Sequence, residues 1–115
     1  MKFSVTRIVA KRGEVLRIRL VSKGTIPKIV MAHNVVILKP TANVDKFIAA
    51  GAPFRTSDFI DPATKDQVLA ATPFAGPGET VELTFRVPMR AATYPYVCTF
   101  AGHSQSGMKG VIVVR

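Results

Sequence analysis

Within eleven consecutive positions near its C-terminus, Cys98-Thr-Phe-Ala-Gly-His103-Ser-Gln-Ser-Gly-Met108, the chain carries its only cysteine, one of its two histidines and one of its four methionines. The other histidine, His33, lies far upstream. Thiolate and thioether are soft donors that favour Cu(I), and imidazole suits Cu(II) as well, so the mixed set holds both oxidation states in similar geometry. Little rearrangement means fast electron exchange. By residue type, His33, Cys98 and His103 with a long, weak axial Met108 would form a mononuclear copper electron-transfer centre.

Four residues separate Cys98 from His103, and four more separate His103 from Met108, enough for one loop to curl and aim three side chains at a common point. Gly102 and Gly107 each stand just before a presumed ligand and permit tight turns. Taken singly, each donor has an ordinary explanation. A lone cysteine is most often a small buried hydrophobe, a methionine is core filler, and a buried histidine is satisfied by hydrogen bonds. The joint spacing is what points to a site. A Cys–His nucleophile is an alternative, without an evident oxyanion arrangement or orienting acid. A structural zinc site is another, although it would more often use several cysteines or histidines.

His33 has to be delivered to that loop by a scaffold, and the alternation of residue types describes one. Residues 2–9 place Phe3, Val5 and Val9 on one side of a half-buried strand. From Glu14 onward Leu16, Ile18 and Leu20 share a face, with Arg17 and Arg19 opposite. Lys23 to Pro27 breaks the pattern. Residues 28–39 are β-branched and apolar on both parities, as in a central strand covered on both faces or one crossing an end of the core, with His33-Asn34 interrupting the run. A polar pair there needs partners, which a metal and its hydrogen-bonded surroundings would supply. Asn43 to Gly51 fits a short helix, with Val44, Phe47 and Ile48 at helical spacing and Gly51 as C-cap. Phe54 to Lys65 is irregular, and Gln67 to Thr72 is either a strand or a helical turn. After the Gly76-Pro77-Gly78 turn, Val81, Leu83, Phe85 and Val87 face inward. Tyr94, Tyr96 and Cys98 share one parity of a strand over residues 93–99, and residues 110–114 form the last strand. Seven or eight short strands with one helical insertion predict an all-β, antiparallel Greek-key sandwich forming a single domain over residues 1–115.

The 115 residues, 48% hydrophobic and 20% charged, suffice for one core and exclude disorder. No apolar run reaches the length of a membrane span. The first ten residues lack the uninterrupted apolar stretch of a signal peptide, so the chain either works where it is made or is a processed form or excised domain with an added Met1. One cysteine permits no internal disulfide. The formal charge of +9 and pI near 10.3 favour acidic partners. Basic residues occur singly or in pairs such as Lys11-Arg12, without a nucleic-acid-binding signature, so the charge is read as a solvated surface that helps an acidic redox partner dock.

Cys98-Thr-Phe-Ala-Gly-His103 followed by Met108-Lys-Gly, with Met31-Ala-His-Asn34 upstream, resembles the blue copper proteins (cupredoxins) of the azurin and auracyanin branch. Azurins have three residues between the second histidine and the methionine and auracyanins have four, as here. The resemblance implies His33, Cys98 and His103 as equatorial ligands, Met108 as the axial one, and Asn34 hydrogen-bonded near the thiolate. Ala32 stands where azurins have a glycine whose carbonyl approaches copper. It also implies an electron port at the edge of His103, with Met31, Phe100 and Ala101 as candidates for the apolar patch around it. The azurin disulfide is absent, and Ala101 replaces a proline.

The expectation is therefore a type 1 copper protein shuttling single electrons, not an enzyme. It would act as a monomer in the periplasm or another extracytoplasmic space, with a cytochrome or oxidoreductase as partner and no nucleic acid. Alternatives are a domain cut from a larger redox enzyme or haem-containing chain, and a copper carrier or sensor without electron transfer.

Overall fold

The computed structural model of the chain describes residues 2–23, 25 and 31–115. Strands β1 (Arg7–Ala10), β2 (Val15–Val21) and β3 (Val36–Leu38) precede helix α1 (Val44–Gly51). Two short 3-10 turns, Arg55–Ser57 and Pro62–Gln67, lead into β4 (Val68–Ala71), β5 (Thr80–Arg86), β6 (Ala92–Val97) and β7 (Lys109–Val114). One sheet has the order β1-β7-β6-β3-β4, and β2 pairs with β5 in a second. The chain crosses between the sheets after β1, β2, β4 and β5, giving a Greek-key sandwich.

β2 and β5 follow their alternation. Their register sets Leu16 opposite Phe85, Ile18 opposite Leu83 and Leu20 opposite Val81, and Leu16, Ile18, Leu20, Leu83 and Phe85 pack in a core that includes Tyr94, Tyr96, Cys98 and Ile112. Each fully buried side chain of this size contributes about 1.5–3 kcal/mol. Arg17 and Arg19 on the outer face reach Glu82 at 3.4 and 3.2 Å. Exposed pairs of this kind add little to stability.

A second cluster covers the other face of the larger sheet, with Phe47 and Ile48 of α1 against Val36, Leu38 and Val97. All three residues of β3 are therefore buried, as a strand covered on both faces requires. Asn43 starts α1 by accepting the Lys46 N–H on its side chain at 3.1 Å.

Several expectations need correction. The strand expected over residues 28–39 is regular only at β3; His33 makes an isolated antiparallel bridge to Ala75, and residues 28–30 lie outside the described ones. In the first strand Phe3 is buried, but Val5 and Val9 are exposed and Ala10 faces the core. β1 also pairs in parallel with β7, a departure from an all-antiparallel sandwich. Gly51 is not a left-handed cap: the cap is Ala52, in right-handed conformation. Gly51 is required for close approach instead, since a Cβ there would lie 2.0 Å from the Phe59 carbonyl oxygen. Residues 68–71 are a strand, which resolves the open choice at 67–72.

Candidate metal centre

Cys98 leaves the end of β6, and Met108 stands immediately before β7. Antiparallel pairing of these neighbouring strands closes the ligand loop, because Val97 is opposite Lys109. The loop is then cross-tied by its own backbone: the Cys98 N–H donates to the Met108 carbonyl at 3.0 Å, and the Met108 and His103 N–H groups donate to the His103 and Phe100 carbonyls, each at 3.0 Å. Gly102 and Gly107 adopt φ of +84° and +112°, the left-handed turns expected of them. His33 arrives from the opposite side, held to Ala75 by reciprocal backbone hydrogen bonds of 3.0 and 2.7 Å.

The ligand atoms of His33, Cys98 and His103 all lie within 4.8 Å of one another. The Cys98 sulfur is 3.5 Å from His103 Nδ1, and the two imidazoles are 4.9 Å apart at their centroids. His33 Nδ1 is buried without a hydrogen-bond partner, the single such side-chain atom among the described residues. A buried nitrogen lone pair beside a thiol and a second imidazole costs stability in an apolar surrounding unless something binds it. A soft or borderline cation fits that donor set.

The electrostatics follow from burial. Desolvation, and after it the other histidine's charge, lowers His103 from 6.5 to about 4. His33 is lowered as well, chiefly by desolvation. Burial pushes the Cys98 thiol up, while backbone N–H groups of Asn34 and Phe100 that hydrogen-bond the sulfur act in the opposite sense. Near neutral pH both imidazoles are thus neutral and ready to ligate, and a cation that binds the sulfur displaces its proton.

Around this core Asn34 and Thr99 bridge the two segments. Asn34 Nδ2 donates to Thr99 Oγ1 and the Thr99 N–H donates to Asn34 Oδ1, both at 2.9 Å. Thr99 Oγ1 in turn donates to the Asp58 carbonyl at 2.6 Å. Asp58 and Phe59 have φ of +55° and +57°, unusual for non-glycine residues. This turn is compensated by the Thr99 bond and by the Phe59 ring, which packs edge-on against Phe74 and Phe100 at 6.4 and 5.3 Å. Phe100 lies 4.7 Å from the His103 ring. Thr99, Asp58, Phe59 and Phe74 were not singled out in the sequence. Only Thr99, beside Cys98, carried any signal, since the other three come from the irregular stretch and a distant turn.

The remaining expected site residues lie close by. Met108 is buried and lines the same cavity as His33. Ala32 is buried, Met31 and Phe100 are half-buried, and Ala101 and Gly102, which precede the buried His103, are exposed.

Comparison with known proteins agrees with this geometry. The family model "Copper binding proteins, plastocyanin/azurin family" matches residues 1–115. The chain is 30% identical to auracyanin-A of Chloroflexus aurantiacus over 119 residues, covering 100% of this chain and 68% of that protein. It is 31% identical to azurin of Pseudomonas chlororaphis over 118 residues, covering 100% and 91%. Among solved structures, dithionite-reduced auracyanin of Roseiflexus castenholzii superposes with a TM-score of 0.82 at 29% identity, over 99% of this chain and 87% of that one. With a sandwich that brings His33, Cys98 and His103 together for a metal ion, the chain belongs to the plastocyanin/azurin family of copper-binding proteins, the cupredoxins.

Proposed function

We propose that this chain is a type 1 copper protein that carries single electrons between redox partners. The observation that carries the reading is the convergence of three different donors, two neutral imidazoles and one thiol, on one point within 4.8 Å, with His33 Nδ1 left unpartnered. His33, Cys98 and His103 would hold the ion, with the Met108 thioether as a weaker fourth donor. Copper, when bound, supplies a one-electron Cu(I)/Cu(II) couple. The protein's part is to hold the donors still: the Asn34–Thr99 pair and the cross-tied loop oppose rearrangement between oxidation states, and the N–H groups on the sulfur temper its basicity.

His103 is the port. Its ring is buried beside Phe100, and the two residues before it, Ala101 and Gly102, are exposed, so a partner that docks there comes close to a ligand without admitting water. Four protein ligands leave no open position for a substrate, which makes the protein a carrier and not an enzyme. The excess of 16 Lys and Arg over 7 Asp and Glu favours a partner with an acidic face, a cytochrome or oxidoreductase. Nucleic acid has no place in this reading. We place the protein, a monomer with one domain over residues 1–115, in the periplasm or another extracytoplasmic space. Among the described residues no helix is long and apolar enough to cross a membrane.

Voltammetry of the copper-loaded protein tests the reading. A reversible one-electron wave is expected, and a colourless protein that holds only Cu(I) would identify a carrier or sensor instead. A second reading, a cupredoxin domain of a larger redox chain, draws on the chain spanning 68% of auracyanin-A. Mass analysis of the native gene product separates the two.

A further inference from the structure

The pole of the sandwich farthest from the cysteine carries a charge pattern that the metal centre does not use. β6 runs from Ala92, opposite Val114, to Val97, opposite Lys109 beside the ligand loop. A six-residue strand sets the two ends about 17 Å apart, with the ligand loop one residue beyond. At the far end three chain segments are tied together. The Gly13 N–H donates to the Val87 carbonyl at 3.1 Å, the Val87 N–H to the Glu14 carbonyl at 2.8 Å and the Arg12 N–H to the Arg115 carbonyl at 3.3 Å. Arg86 Nη1 donates to the Gly13 carbonyl at 2.9 Å, and the Tyr94 hydroxyl to the Arg90 carbonyl at 2.7 Å.

These ties bring exposed Lys11, Arg12, Arg86, Arg90 and Arg115 to the same end of the sandwich as the acidic side chain of Glu14. One Glu14 oxygen already accepts the Lys11 N–H at 2.9 Å. Among the cations stands Met89, 73% exposed, the most exposed of the large hydrophobic residues described. Its sulfur occupies the space a Cβ on Gly13 would need, 2.9 Å from that position.

We propose that this pole docks on an anionic lipid bilayer and holds the protein with its metal pole turned outward. An exposed thioether at the same pole as several long cationic side chains matches a layer of phosphates with apolar matter beneath it. An acidic protein face would meet the cations but offer nothing to Met89. The inference rests on the electron-carrier reading in one respect: a redox partner held at this pole would sit some 20 Å from the ligands, whereas a membrane held there leaves His103 free.

The test is co-sedimentation of the copper-loaded chain with phosphatidylcholine vesicles, with and without phosphatidylglycerol, at about 0.1 M salt, where the screening length is about 10 Å. The protein is expected to pellet only with the anionic vesicles. Each pole cation neutralised should weaken binding about fivefold, so Lys11→Gln/Arg12→Gln/Arg90→Gln loses about 100-fold. The control Arg17→Gln/Arg19→Gln/Lys65→Gln, with the same charge removed elsewhere, should lose far less. Met89→Gln should weaken vesicle binding and leave binding to polyglutamate unchanged. No pelleting of the wild type, equal losses in the two triple variants, or binding to polyglutamate but not to vesicles would each overturn the proposal, the last in favour of an acidic polypeptide. The readout is independent of copper chemistry, so failure of the carrier reading would appear in the visible spectrum and failure of this one in the pellet.

Discussion

Asn34 and Thr99 hold each other through two buried hydrogen bonds of 2.9 Å, one from the Asn34 amide to the threonine hydroxyl and one from the Thr99 backbone to the asparagine oxygen. Because His33 and Cys98 are their immediate neighbours, this pair locks the two halves of the centre together. Asn34→Ala leaves the Thr99 N–H buried without its partner and should cost about 2–4 kcal/mol in denaturant unfolding of the apoprotein. Thr99→Ala should cost about 1–3 kcal/mol. The double variant should fall short of the sum by about 1 kcal/mol or more. Simple additivity would mean that the pair does not act as a unit.

Proton release on metal binding reports the protonation states of the ligands. Near pH 7 both imidazoles are neutral, because their affinities for protons lie below the ordinary 6.5, with His103 near 4. The buried Cys98 thiol, raised above its ordinary value, is protonated. Calorimetric titration with copper in buffers of differing ionisation enthalpy should therefore show about one proton released per ion. The same shifts set the apoprotein's acid sensitivity. Between pH 6.5 and about 4 the unfolded chain binds more protons than the folded one at these histidines, so stability should fall as pH falls through that window. A melting temperature that rises on acidification across it would contradict the assignment.

The clamp formed by the irregular segment can be probed at Gly51, where an added Cβ would strike the Phe59 carbonyl oxygen at 2.0 Å. Gly51→Ala should destabilise by more than about 2 kcal/mol. Gly78→Ala meets no neighbouring atom but must hold φ at +76°, and should cost about 1 kcal/mol. Equal losses in chemical denaturation would show that α1 can shift away from Phe59.

Met108→Leu separates ligation from packing. The leucine keeps the buried volume but replaces an electron-pair donor with a purely apolar group, which disfavours the more highly charged Cu(II), so copper should stay bound while the potential measured by voltammetry rises. Loss of copper would show that the thioether is needed to hold the ion.

Much of this was legible because it depends on local alternation and on rare residue types. Leu16, Ile18 and Leu20, and later Val81, Leu83 and Phe85, announce their inward faces through period-two spacing. Cys98, His103 and His33 have no competitors of their kind in the chain. What could not be read depends on distant partners. The parallel pairing of β1 with β7 turns Val9 outward although Phe3, which precedes the strand, enters the core. The apolar run around His33 reads as one long strand, yet its pairing is reduced there to a single bridge with Ala75. Val97 is buried on the parity opposite to Cys98 because α1 covers the outer face of the sheet. The left-handed turn at Asp58 and Phe59 has no glycine to mark it and is set by Thr99, some forty residues away in sequence.

Adding Cu(II) to the apoprotein and recording its visible spectrum tests the central claim most directly, with Cys98→Ser measured alongside. An intense blue colour that disappears on reduction, returns on oxidation and is absent from Cys98→Ser is the predicted result. A wild-type protein that stays colourless, or a serine variant that turns equally blue, would contradict a copper–thiolate centre at Cys98.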